Sequence, residues 1–152
     1  MKRAHFDTAT PYIASYVLVT DKNGHIAFVL RANTPWMNGF YGLPSGKVEN
    51  NETFMQGAIR EAKEEVGVTI KPEKLKYLMA IHRKGDDSEW VDVYFEALKW
   101  EGEPYNAEPH MHSELAWLDP KNLLANVIPS VKFALEQIVA GHNYAEYGWK
   151  NR

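Results

Sequence analysis

The sequence contains no cysteine among its 152 residues. Disulfides, thiolate metal ligands and a thiol nucleophile are therefore excluded, and the composition fits a reducing compartment, with the cytoplasm as the expected location. Long apolar runs are also missing: nothing approaches the roughly 20 residues of a membrane-spanning helix, and the start, MKRAHFDTATPY, lacks the apolar centre of a signal segment. Nor does one sign of charge dominate. Seventeen Lys and Arg stand against 20 Asp and Glu, a net charge of −3. Such a chain has no general attraction for polymeric nucleic acid or anionic membranes, so a phosphate ligand must be held locally, by a metal or a few basic groups. Repeats, linkers and low-complexity segments are absent as well. What remains is 45% hydrophobic and 24% charged, the composition of a globular protein. Its length suits one domain, residues 1–152, with a core at about 10–140 and an aromatic tail at 142–152.

The elements run in an α/β order. YIASYVLVTDKNGHIAFVLR is two apolar, β-branched runs around Asn23-Gly24, which supplies the positive φ of a tight turn and predicts a hairpin with strands at 12–20 and 25–31. ANTPWMNGFYGLPSG is too rich in Gly, Pro and Asn for a regular element. A helix is predicted from Thr53 to Val66, capped by Thr53 or Asn51 and ended by Gly67. LKYLMAIHR and EWVDVYFEALKW flank KGDDS as a second antiparallel hairpin, and LAWL is one more short strand. Pro129 opens a second helix in which Val131, Leu135, Ile138 and Val139 recur at helical spacing until Gly141. One mixed sheet covered by two helices is the economical arrangement.

Within the first helix Glu61, Glu64 and Glu65 fall inside an arc of roughly 100°, opposite Met55, Ile59, Ala62 and Val66. Like charges at these spacings each destabilise a helix by about 0.2–0.5 kcal/mol. Arg60 and Lys63 relieve part of the repulsion. The arrangement is either a solvated charged face or a cradle for a hard divalent cation, for which clustered carboxylates become favourable.

The whole stretch GKVENNETFMQGAIREAKEEVGV, residues 46–68, resembles the Nudix box at every fixed position: Gly46, Glu52, Arg60-Glu61, Glu64-Glu65, Gly67 and an aliphatic Val68. Ala62, where the family more often has a larger aliphatic residue, and Ser45, where a second glycine is common, are the soft departures. The resemblance implies an α/β/α sandwich, with a mixed sheet between the box helix and the C-terminal helix. It also implies hydrolysis of a nucleoside diphosphate linked to another group, with Mg²⁺ or Mn²⁺ and a water attacking phosphorus. By position Glu64 and Glu65 are then metal ligands, Glu61 is a ligand or the base, and the Gly46 carbonyl is a backbone ligand. Glu52 and Arg60 pair and support the loop. A downstream acid often assists, and EPHMHSEL offers Glu108 and Glu114, with Glu114 preferred.

Outside the box, Arg31 is a candidate for a substrate phosphate or a surface ion pair. Trp36, Phe40 and Tyr41 are candidates for stacking on a nucleobase or for packing. His110 and His112 read as exposed loop histidines, since a zinc site would want further partners such as cysteine. The tail HNYAEYGW is apolar enough to dock on its own domain or on a second copy in a homodimer. The expected activity is conversion of a nucleoside triphosphate to monophosphate and pyrophosphate. The alternatives are a nucleotide sugar or dinucleoside polyphosphate as substrate and, from another class, a nucleotide sensor without turnover.

Overall fold

The computed structural model describes residues 7–150; residues 1–6 and 151–152, which the expected domain and tail include, lie outside the described residues. Two β-branched and aromatic runs form β1 (Tyr12–Val19) and β2 (Ile26–Arg31). Between them the Asp21 carboxylate accepts the Asn23 and His25 N–H groups at 2.8 and 2.9 Å, and Gly24 takes φ +80°. The turn forms as predicted, but it does not propagate into a hairpin ladder: Thr20 and Ile26 pair, and the strands then enter different sheets.

The reason lies in β1. Its apolar run is buried on both faces, the signature of a central strand, and both its edges are taken. One edge pairs in parallel with β6 (Glu89–Ala97) and the other antiparallel with β4 (Ser45–Lys47), which follows the two-residue β3 (Tyr41–Gly42). β5 (Leu75–Lys84) forms the expected hairpin with β6, closed by Gly85 N–H to the Ser88 carbonyl at 2.8 Å. The mixed sheet has the order β4-β1-β6-β5-β8, where β8 is Tyr144–Tyr147. The strands expected to complete it, β2 and the LAWL strand, which extends to β7 (His112–Leu118), form a second, antiparallel sheet of order β3-β2-β7.

Alternation along β1 shares its side chains between two cores. Tyr16 and Leu18 pack with Phe28, Met79, Tyr94 and the buried face of α2 (Pro129–Val139). Val17 and Val19 pack with Val93, Phe95 and with Ala58, Ala62 and Val66 of α1 (Phe54–Val66). The helices thus cover opposite faces, giving the α/β/α sandwich. Each fully buried aliphatic or Phe side chain stabilises the packing by about 1.5–3 kcal/mol relative to exposure. Val139 departs from the expected stripe and is 71% exposed.

Thr53 is the cap that is used. Its hydroxyl accepts Gln56 N–H at 3.1 Å and Gln56 Oε1 accepts Thr53 N–H at 2.9 Å, a complete capping box. Gly67, at φ +73°, ends α1 in the left-handed conformation. The tail docks on its own chain: β8 runs parallel to β5 from Ala80↔Tyr144 to Arg83↔Tyr147, and Trp149 Nε1 donates to the His82 carbonyl at 2.9 Å. No helix among the described residues is long and apolar enough to cross a membrane.

Candidate active site

The polar face of α1, strand β4 and the start of β7 converge on one end of a cavity of about 860 Å³. Gly46, Glu61, Glu64 and Glu65 line it, together with Arg31, Glu108 and His112. β4 is held against β1 by the Ser15↔Gly46 pairing, which brings it alongside the helix. A Cβ at Gly46 would overlap Glu61 Oε1, so any side chain there would displace the Glu61 carboxylate.

The acidic face is less solvated than helical periodicity suggests. Glu65 is 7% exposed, and its Oε2 accepts the Ser45 N–H at 2.5 Å. Burial raises its carboxyl well above the usual range, the Glu61 and Glu108 charges adding to the effect while the Ser45 N–H and Arg31 oppose it. Glu61 is pushed up to about 7, again chiefly by burial and against the Arg60 hydrogen bond. Glu64 is half exposed.

Arg60 is the cationic hub. Its Nε donates to Glu52 Oε2 at 2.8 Å, Nη1 to Glu61 Oε1 at 2.7 Å and to Glu64 Oε2 at 3.3 Å, and Nη2 to the Lys47 carbonyl at 3.1 Å. One guanidinium thereby ties the loop before the helix to two of the three clustered carboxylates, and it holds the Glu52 carboxyl below its usual value.

The downstream acid at the cavity is Glu108, not Glu114. Glu114 accepts a hydrogen bond from the Tyr41 hydroxyl and does not line the cavity. A β-bulge explains the difference. Arg31 pairs with His112 but Leu30 pairs with Glu114, so Ser113 is an extra residue and the alternation is reset there. His112 also departs from expectation: it is 2% exposed rather than a solvated loop residue. Burial, helped by the Arg31 and His110 charges, pushes its imidazolium down to about 4, so the ring is neutral at pH 7. Ligand atoms of Glu65, Glu108 and His112 all lie within 4.8 Å of one another. These two carboxylates and the neutral imidazole, with Glu61 and Glu64 in the same lining, offer donors of a kind that fits a divalent cation.

Arg31 reaches the cavity with its Nε bound to the Trp36 carbonyl at 2.8 Å and its guanidinium 5.7 Å from the Trp36 ring centroid. Trp36 lines the cavity, 46% exposed. Phe40 and Tyr41 do not line it: Tyr41 is 9% exposed in the core, and Phe40 packs against the same cluster. Both are packing residues because β3 and the chain before it turn toward α2.

The far wall of the cavity went unforeseen. Arg83, Trp90, Ser130 and Tyr147 line it. Arg83 is paired with Asp92, itself 1% exposed, through Nε to Oδ2 at 2.5 Å, and its guanidinium lies 4.9 Å from the Trp90 ring centroid. The signal that reveals part of this wall is the period-2 pattern of EWVDVYF, which puts Trp90, Asp92 and Tyr94 on one side of β6.

Comparison with known proteins agrees with this geometry. A family model described as the NUDIX domain matches residues 10–138. The 8-oxo-dGTP diphosphatase of Escherichia coli is 30% identical over 91 residues, 60% of this chain and 69% of that protein. An ADP-ribose pyrophosphatase of Methanocaldococcus jannaschii is 34% identical over 68 residues, 45% of this chain and only 38% of that protein. Among solved structures, the MutT NUDIX hydrolase from Burkholderia pseudomallei superposes with a TM-score of 0.75 at 27% identity, covering 84% of this chain and 98% of that one. The matched span holds the whole box, its glutamates gathered at one cavity on a sandwich shared with a Nudix hydrolase, and the chain belongs to the Nudix family of pyrophosphohydrolases.

Proposed function

We propose that the protein hydrolyses a nucleoside triphosphate to the monophosphate and pyrophosphate, using Mg²⁺ or Mn²⁺. The observation that carries this reading is the convergence of Glu61, Glu64, Glu65 and Glu108 on one cavity that Trp36, Trp90 and Tyr147 also line. Likeness to the E. coli 8-oxo-dGTP diphosphatase favours a nucleotide of free-triphosphate type. The cation, when bound, neutralises phosphate charge and orients the attacking water.

The chain's own residues divide the remaining work. Glu64, Glu65 and Glu108 supply oxygen ligands, with the Gly46 carbonyl beside them. Glu61, fixed between Arg60 and the bare backbone of Gly46, accepts the proton of the water; a carboxyl near 7 is suited to that task. Arg31 faces the phosphates, and Trp36 and Trp90 offer ring faces to the base. Location in the cytoplasm belongs to the same proposal and rests on the cysteine-free composition.

The likeness to an ADP-ribose pyrophosphatase keeps a nucleoside diphosphate sugar as the second reading. A screen of nucleoside triphosphates, oxidised triphosphates, ADP-ribose and dinucleoside polyphosphates decides between them. With Mg²⁺ and a coupled pyrophosphatase, colour from a triphosphate that depends on the coupling enzyme supports the first reading. Product only from ADP-ribose, identified as AMP and ribose phosphate, replaces it.

A further inference from the structure

Metal-binding boxes of carboxylates are hard, oxygen-only sites, and His112 does not belong to that pattern. Its ring is 2% exposed, its Nδ1 is buried without a hydrogen-bond partner among the described residues, and its Nε2 stops 3.9 Å from Glu65 Oε1, beyond hydrogen-bond reach. A buried imidazole left this way is unfavourable unless something else comes to it. Its backbone, by contrast, is firmly held. The His112 N–H donates to the Glu108 carbonyl at 3.0 Å, and Asn106 Nδ2 donates to the His112 carbonyl at 2.8 Å. The bulge at Ser113 then lets His112 and Glu114 take different directions. The backbone therefore aims the ring at Glu65 without giving it a partner.

From this geometry we propose that His112 supplies a nitrogen ligand, with Glu65 and Glu108, to a cation subsite that takes Mn²⁺ in preference to Mg²⁺. The ligand atoms, within 4.8 Å of one another, come within reach of one ion at metal–ligand distances of about 2.0–2.3 Å after small side-chain rotations. Mn²⁺ is the weakest of the first-row transition ions for nitrogen, yet it accepts an imidazole where Mg²⁺ holds to oxygen and water, so one buried imidazole tilts the choice between these two ions toward Mn²⁺. The inference rests on the divalent-cation reading above, and its test separates the two.

The test is Mn²⁺ titration of the full chain followed by pulsed electron paramagnetic resonance, which detects ¹⁴N bonded directly to the ion and needs no substrate. The wild type shows ¹⁴N modulation. His112→Gln loses it and binds Mn²⁺ at least about tenfold more weakly, while Mg²⁺ affinity changes less than about twofold. His110→Gln, altering an exposed neighbour, retains the modulation. Mn²⁺ bound by the wild type without ¹⁴N modulation overturns the inference and leaves the cation site standing, as does modulation that survives in a folded His112→Gln protein. Failure of the wild type to bind Mn²⁺ or Mg²⁺ overturns both.

Discussion

At one end of the cavity Glu61, Glu64 and Glu65 come from five positions of a single helix, while the opposite wall draws Arg83 and Trp90 from the β5–β6 hairpin, Ser130 from the start of α2 and Tyr147 from the tail. Their electrostatics differ as much as their origins. Arg83 is matched by Asp92 in the far wall, an ion pair complete in itself. The acidic end has one guanidinium for Glu52, Glu61 and Glu64, and Glu65 receives from the protein a backbone N–H and only the more distant influence of Arg31. One end is charge-matched and supplies shape. The other holds more carboxylates than counter-charges, the imbalance that the proposed metal-dependent reaction requires.

The sharpest way to break this comparison is at the acidic end. Excess EDTA abolishes turnover, and Glu64→Gln or Glu65→Gln lowers kcat at least about a hundredfold with the fold intact by circular dichroism. Near-normal rates in both variants, or turnover that survives the chelator, would remove the acidic cluster from catalysis. Arg60→Ala acts next, through folding. It strips partners from Glu52, Glu61 and Glu64 at once, and denaturant unfolding without metal registers a loss of about 1–3 kcal/mol, since the guanidinium is a quarter exposed and its bonds are partly screened. An unchanged midpoint would mean the cluster needs no counter-charge.

The far wall responds differently. Tyr147→Ala raises KM for the preferred substrate about three- to tenfold, leaves kcat within about twofold and does not alter Mn²⁺ affinity, the pattern of a binding contact remote from the chemistry. A fall in kcat with unchanged KM would contradict the division of labour. The smallest effect belongs to Glu114→Gln. Because its carboxylate accepts the Tyr41 hydroxyl outside the cavity, steady-state kinetics stay within about threefold of wild type. A loss comparable to that of Glu65→Gln would return Glu114 to the site.

The same contrast explains how much was legible in the sequence. The box helix, its Thr53 cap, its Gly67 stop and the clustering of its acids are local, set by spacing along a few turns, and the structure has them where the periodicity puts them. The order of β1, β2, β5, β6, β7 and α2 was readable for the same reason, whereas β3 and β4, in a stretch too rich in Gly and Pro to be read as regular, and β8 were not. Beyond the β5–β6 hairpin, local signals did not report pairing partners. Asn23-Gly24 makes its turn, yet β1 and β2 part because β4 and β6 occupy both edges of β1. The burial of Glu65 depends on a backbone N–H 20 residues earlier, at Ser45. The exchange of Glu114 for Glu108 and the burial of His112 follow from one bulged residue, Ser113, which composition does not announce. Tyr147 reaches the cavity only because the tail adds a parallel strand to β5, a contact across some 60 residues of sequence.

The central claim, that the acid cluster opposes folding until a cation joins it, is tested most directly by thermal melts of wild type and Glu65→Gln, each in EDTA and in saturating Mn²⁺. The amide keeps an acceptor for the Ser45 N–H and removes a buried charge. Glu65→Gln in EDTA is expected to melt at the wild-type temperature or about 1–3 °C above it. Wild type gains stability from the ion as RT ln(1 + [L]/Kd), about 2.7 kcal/mol at a hundredfold excess over Kd, and the variant gains clearly less. A variant that melts several degrees below wild type in EDTA, yet gains as much from Mn²⁺, would show that Glu65 is a structural partner of Ser45 and that the acidic face exists for another reason.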